Sequence, residues 1–238
     1  MTTRLLVPIG LLLAAAAVQA PRTEVSGGVG GGRYLYHPGC SPAVRVPYKE
    51  AGGEIRHLPG GGSEVGVQLS VREDDADAAQ VVGSSSSVEE DREVIRAGTR
   101  WRAAPYLGHT WRWVRARVGL VVGDYFLPER DDVGHVLVLP QASLGIGTET
   151  FRLEGGLLDS PTALASSADC GLGILSVRAA IGVGPEQRLL LGVGAAQDEG
   201  YVSGMFSTAV GPELSLAVGG FRAEQSSGAF VMLGTRLR

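Results

Sequence analysis

Four stretches of this sequence hold residue types that could do chemistry. His37-Pro38-Gly39-Cys40, with His57 downstream, offers the imidazole and thiolate groups that bind zinc. Asp131, Asp132 and His135 could pair carboxylate and imidazole to activate a water for hydrolysis. Gly28 to Arg33, GVGGGR, has the glycine density of a phosphate-cradling loop. Asp74, Asp75 and Asp77 could supply oxygen ligands to calcium. Each is outweighed by a plainer reading. Zinc needs four well-spaced ligands, or three and a water, and the second cysteine, Cys170, lies far along the chain. No Lys-Ser/Thr pair or helix-forming stretch follows the glycines, and the aspartates lack the spacing and glycine turn of an EF-hand. There is no G-x-S-x-G elbow. The sequence therefore assigns no catalytic residue, no metal and no cofactor.

A different set of polar residues carries more information because it recurs on strand-like segments opposite apolar faces. It comprises Glu64, Gln68 and Arg72, then Arg115 and Arg117, then Arg152 and Glu154, then Arg188. In an extended strand successive side chains face opposite sides of the sheet. Thus Val65, Val67, Leu69 and Val71 share one face while Glu64, Gln68 and Arg72 share the other. Val114, Ala116, Val118 and Leu120 likewise oppose Arg115 and Arg117. Charges that share an enclosed interior must pair, so Arg115, Arg117 and Arg152 are expected to meet Glu64 and Glu154.

The elements that position these residues are short and alternating. The expected strands are Thr23 to Tyr36, Glu64 to Arg72, one or two within Val94 to Val122, His135 to Ile146, Phe151 to Leu158 and Leu172 to Val183. Arg188 to Ala196, Tyr201 to Val210, Leu214 to Phe221 and Ala229 to Leu237 complete the set. Tight turns at Gly147, Gly184 and Gly211 alternate with looser loops at Asp159 to Cys170, Gln197 to Gly200 and Ala223 to Gly228. His37 to Gly62 reads as a long loop. Residues 73–93 carry eight carboxylates against one arginine, with four successive serines, and read as a disordered acidic loop.

Residues 1–20 read as a secretory signal peptide, with Arg4 before the apolar run Leu5 to Val18 and a small residue at Ala20. Residues 21–238 then form one β domain. The whole chain has a formal net charge of −4, which does not favour a nucleic-acid partner. No later stretch suits a membrane-spanning helix. An exported, glycine-rich meander with short turns at one end and longer loops at the other matches the layout of a closed membrane barrel, in which every backbone group pairs internally.

The leader, the glycine-rich meander and the alternating last strand resemble the small bacterial outer-membrane β-barrel proteins of eight to twelve strands. The expected fold is all-β: a closed antiparallel up-and-down barrel of about ten strands, with eight or twelve as alternatives. The partner would be the lipid bilayer of the outer membrane, with small solutes as cargo. The function would be structural or that of a narrow channel, without enzymatic activity. On this topology the acidic loop falls on the periplasmic side, and a Cys40–Cys170 disulfide would form outside. The alternative is a soluble exported lipocalin-like barrel or β-sandwich binding a small apolar ligand. The two readings disagree on whether Val65, Val67, Leu69, Leu214, Leu216 and Val218 meet lipid or form the core.

Overall fold

The computed structural model describes residues 20–36, 44–75, 78–81, 99–124, 136–158, 175–196, 199–224 and 226–237. Its strands are β1 (Arg22–Tyr36), β2 (Val44–Gly60), β3 (Ser63–Asp74), β4 (Gln80–Val81), β5 (Thr99–Thr110), β6 (Val114–Asp124) and β7 (Val136–Gly147). β8 (Phe151–Leu157), β9 (Leu175–Gly184), β10 (Gln187–Ala196), β11 (Glu199–Ala209), β12 (Leu214–Ala223) and β13 (Ser227–Leu237) follow. All pairings are antiparallel. β1 bonds to both β2 and β13, which closes the ring. The two-residue β4 pairs only with the start of β2 and stands outside the ring, so the barrel has twelve strands. Closure leaves no open edge in the ring, the condition a sheet must meet in hydrocarbon.

The count exceeds ten for two reasons. Val94 to Val122 contains two strands, β5 and β6, with residues 111–113 as the turn between them. The stretch His37 to Gly62 is not one long loop, because its residues 44–60 form β2, the longest strand of the barrel at 17 residues. A tight turn at Gly60, Gly61 and Gly62 connects β2 to β3, with φ of 108°, 62° and 86°. These are left-handed values that side-chain-bearing residues resist and that suit a tight hairpin.

The extra strand reverses β3 and moves the acidic stretch to the other end. The chain between β3 and β5 now emerges at the same end as the β1–β2, β6–β7 and β8–β9 connections. The start of β1 at Arg22, the end of β13 at Leu237 and the turns at Gly61, Gly147, Gly184 and Gly211 lie at the opposite, short-turn end. Glu73 and Asp74 belong to β3, Asp75 follows it, and Gln80 and Val81 form β4; the remainder of 73–93, apart from Ala78 and Ala79, lies outside the described residues. So do residues 1–19 of the expected leader, Asp131, Asp132, His135, Cys40 and Cys170.

β2 also explains why the strand is hard to read from its residues. Near the long-loop end its apolar side chains point inward: Val44, Val46 and Tyr48 are at most 4% exposed and pack with Tyr34 and Ala79. Arg45 and Lys49 point outward into the open. Beyond Gly52-Gly53 the faces exchange roles. Ile55 points outward and is 48% exposed, while Glu54 and Arg56 point inward. No single period runs through such a strand, and Pro47 lowers its strand propensity further.

On the other strands the aliphatic side chains of the middle stretch point out. Val29, Leu107, Val118 and Val193 are all more than half exposed, and Val65, Leu69, Leu214 and Val218 are more than 40% exposed. This removes the alternative in which those side chains form the core of a lipocalin-like barrel or sandwich. Trp101 projects outward near the long-loop end, while Trp111 and Trp113 project outward at the β5–β6 turn. Tyr106, from the same sequence cluster, points inward and is 3% exposed.

Candidate functional site

Inside the barrel the even positions of β1, β2, β3, β5, β8 and β9 and the odd positions of β6 face the lumen. Charged residues at these positions join into one belt. Arg22 and Arg56 both contact Glu24, and Arg236 of β13 reaches it at 3.8 Å. Arg56 then touches Glu64 at 3.7 Å. Arg115 bridges onward from Glu64, at 2.7 Å, to Glu154, at 3.6 Å. Glu154 also receives Arg152 at 3.7 Å and Arg178 at 3.2 Å. The belt thus runs without a break from β13 to β9 around the β1–β6 side.

Glu64 is its centre. Its side chain is 3% exposed. Arg115 donates from Nε at 3.0 Å and Nη2 at 2.7 Å, one bond to each carboxylate oxygen. Arg117 does the same at 2.7 Å and 3.2 Å. Two bidentate forks approach the capacity of one carboxylate. The choice of cation matters here. Lys49, on the outer face, is the only lysine in the sequence, and every other basic residue is arginine. A planar fork suits paired oxygens as an ammonium does not.

Tyr106 of β5 locks the belt in place. The Arg117 guanidinium lies 4.5 Å from its ring centroid, in cation–π range. The Tyr106 hydroxyl donates to Glu54. The hydroxyl end of the ring packs against Gly66 of β3, and its Cβ sits against Gly119 of β6. A Cβ added at Gly66 would fall 2.5 Å from the ring. Gly66→Ala is therefore expected to destabilise the barrel by about 1–3 kcal/mol through overpacking. Denaturant unfolding in micelles would measure it, and an unchanged midpoint would show that the ring has room to move.

A second cluster lies nearer the long-loop end. The Arg72 guanidinium lies over both the Tyr34 and Tyr48 rings, at 4.4 Å and 4.2 Å from their centroids. Arg72 Nε donates to Asp74 at 2.8 Å, and Arg100 pairs with the other oxygen of Asp74 at 2.7 Å. The Tyr34 hydroxyl donates to Asp74 at 3.2 Å. Ala104, Val121 and Leu158 form a small apolar layer on the β5–β8 side, against Leu139.

Of the residues singled out in the sequence, Glu64, Arg115, Arg117, Arg152 and Glu154 come together in one network. Arg72 belongs to the separate aromatic cluster. Gln68 is buried in the lumen wall at 4% exposure. Arg188 stands apart at the short-turn mouth, where no ion pair or hydrogen bond to a described residue holds it. Sequence reasoning missed Glu24, Glu54, Arg56, Arg100 and Arg178, and weighed Asp74 only as a calcium ligand where it pairs with Arg72 and Arg100. Glu54 and Arg56 were hidden by the reading of β2 as a loop. Arg178 was in reach, because it alternates with Val177 and Ala179 inside an expected strand.

The other candidate clusters disperse. Gly28 to Arg33 lies within β1. His57 contacts Thr23 at 3.1 Å, and His109 contacts Ser63 at 3.1 Å, both on the outer wall. Among the described residues no group of three or more His, Cys, Asp and Glu side chains is placed to hold a metal ion.

The interior is unevenly filled. β10 to β13 face the belt with small residues, among them Gly192, Ser203, Ala217 and Gly219. At the short-turn end this leaves a cavity of about 420 Å³ bordered by Glu24, Arg56, Arg188, Ser207, Ser215 and Arg236. A separate small void of about 10 Å³ lies in the β10–β13 wall beside Arg178, Met205 and Phe230.

No protein-family model and no curated protein sequence matches the chain. Solved structures do match its fold. An outer membrane channel from Pseudomonas putida F1 superposes with a TM-score of 0.56 at 14% identity, covering 94% of this chain and 98% of the channel. The translocator domain of the autotransporter NalP from Neisseria meningitidis superposes with a TM-score of 0.54 at 10% identity, covering 97% and 94%. With a closed ring of twelve antiparallel strands, aliphatic outside and ionic inside, the chain has the fold of the bacterial outer-membrane β-barrels.

Proposed function

We propose that this protein is resident in the bacterial outer membrane, where it forms a narrow passage for small solutes and performs no enzymatic reaction. One observation carries the reading: the usual sides of a protein are exchanged, with aliphatic residues outward on the β-strands and an ion-paired network at the centre. Monomeric soluble proteins rarely expose a continuous apolar surface beyond a few hundred square ångströms, and here it rings the barrel. Nine of the twelve strands are 10–12 residues long. At barrel tilt that length spans the roughly 25 Å apolar band of an outer-membrane barrel. Trp101 at one end and Trp111 and Trp113 at the other suit the two interfaces.

The exchange of faces along β2 supports an orientation. Its outer-half residues Arg45 and Lys49 would stand in the aqueous or headgroup zone, and Ile55 in hydrocarbon. The long-loop end would then be extracellular, with the start of β1, the end of β13 and the short turns in the periplasm. A passage is supported by the cavity at the short-turn mouth and by the resemblance in fold to the Pseudomonas channel. The belt restricts its width.

Fractionation and planar-bilayer recording test this together. The protein is expected in the membrane fraction, released only by detergent, and it should give small conductance steps. Recovery of folded protein from the soluble fraction without detergent would overturn the membrane placement. A large, stable, porin-like conductance would overturn the filled lumen.

A further inference from the structure

The outer wall is not evenly aliphatic. Among the described residues, the basic side chains that face outward from the strands are Arg33 on β1, Arg45 and Lys49 on β2, and Arg222 on β12. All four are exposed, and none makes an ion pair to a described residue. They fall in one sector of the ring, where β12, β13, β1 and β2 are consecutive neighbours.

Strand register arranges this sector in rows. Arg222 and Arg33 lie on either side of Ser227, which is paired with both. The next row toward the barrel middle is Gly220, Ala229, Gly31 and Lys49. Below it come Val218, Val231, Val29 and Ala51. Two guanidiniums and a hydroxyl thus stand above a shelf of small residues, with Lys49 at its edge and an aliphatic row beneath. Arg33 is four residues beyond Val29, which is about 13 Å along a strand and about 10 Å toward the long-loop end at barrel tilt. With the valine row at mid-bilayer, that is near the edge of a roughly 25 Å apolar band. Carboxylates stand at the margins of the sector. Glu73 is opposite Lys49 on the β3 side, Asp75 follows it and accepts from the Ala78 amide, and Glu224 lies past the end of β12.

We propose that this shelf binds the phosphorylated glycolipid of the outer leaflet. A headgroup phosphate would sit over Ser227 between Arg33 and Arg222, with an acyl chain lying along Gly220, Ala229 and Gly31. The site rests on the membrane placement and orientation argued above. Guanidiniums match phosphate oxygens with paired donors. Lys49, one row lower, can extend its stem along apolar surface to bring its ammonium to the same level. Residues without bulky side chains leave the chain room to lie flat against the wall. Cations at lipid-facing positions are costly toward the midplane, and an anionic headgroup offsets that cost at the boundary.

The test is lipid binding by the full-length protein folded in detergent micelles, read by native mass spectrometry. The probes are bisphosphorylated lipid A, its dephosphorylated form and phosphatidylglycerol. The bisphosphorylated form should bind at least tenfold more tightly than the dephosphorylated one, and more tightly than phosphatidylglycerol. Arg33→Gln and Arg222→Gln should each weaken it about fivefold, whereas Arg112→Gln, at the short-turn end, should leave it unchanged. Heat-modifiable migration on gels would verify that the variants are folded barrels. Equal affinity for the two forms of lipid A, or full affinity in the double variant Arg33→Gln with Arg222→Gln, would overturn the site while leaving the membrane placement standing. A preference for phosphatidylglycerol would overturn the glycolipid as occupant. Folded protein in the soluble fraction would overturn the placement and the site together.

Discussion

Replacement of Glu64 by leucine is expected to cost about 3–5 kcal/mol of barrel stability, the usual cost of removing one partner from a buried pair. The side chain is 3% exposed and holds two bidentate guanidiniums, Arg115 and Arg117, with Arg56 at 3.7 Å. Its loss takes the shared carboxylate from Arg115, Arg117 and Arg56 together, with Glu154 left to Arg115. Equilibrium unfolding of the refolded protein in vesicles or micelles would give the value. Pairing Glu64→Leu with Arg117→Met should recover part of the loss, because the second change removes one stranded charge. Their non-additivity should be about 0.5–3 kcal/mol, the range for contacting residues. A total effect below about 1 kcal/mol would mean that the lumen is wet enough for these pairs to behave like surface ones.

The second large effect is expected on the opposite face. Val231 lies near the middle of β13, flanked by Val29 on β1 and Val218 on β12, and all three point outward. Val231→Arg should cost about 2–4 kcal/mol if this ring of side chains lies at the bilayer midplane, whereas Leu237→Arg, at the end of the same strand, should cost about 0–1 kcal/mol. The depth dependence is the diagnostic feature. It would show as a graded loss of folding yield and unfolding midpoint in lipid vesicles. Equal costs at the two positions would show that the aliphatic ring does not face hydrocarbon.

How far the fold could be read depended on whether a strand keeps one environment along its length. In β3, β6, β12 and β13 the same face meets the outside from end to end, so alternation in the residues reports the architecture directly. Val65-Val67-Leu69-Val71 and Leu214-Leu216-Val218 are legible for that reason. β2 crosses from a region where its inward face packs with Tyr34 to one where its inward face is ionic, and its pattern cancels. Missing that one strand changed the strand count and placed the acidic stretch at the wrong end, because each strand in a meander reverses the direction of all that follow.

By itself the sequence determined the strand-and-turn rhythm, the closed antiparallel class and the sign of each side chain on the alternating faces. These are local properties, set by a period of two and by glycine-rich turns. Partners are not local. That Arg115 spans from Glu64 to Glu154, that Tyr106 needs Gly66 beneath it, and that Arg178 joins the belt depend on ring closure and on the register between strands. A slip of one residue in any pairing would turn an arginine from lumen to outer wall. Which charges share the lumen is likewise settled only once the ring has sorted inward from outward residues, so only the tertiary structure decided it.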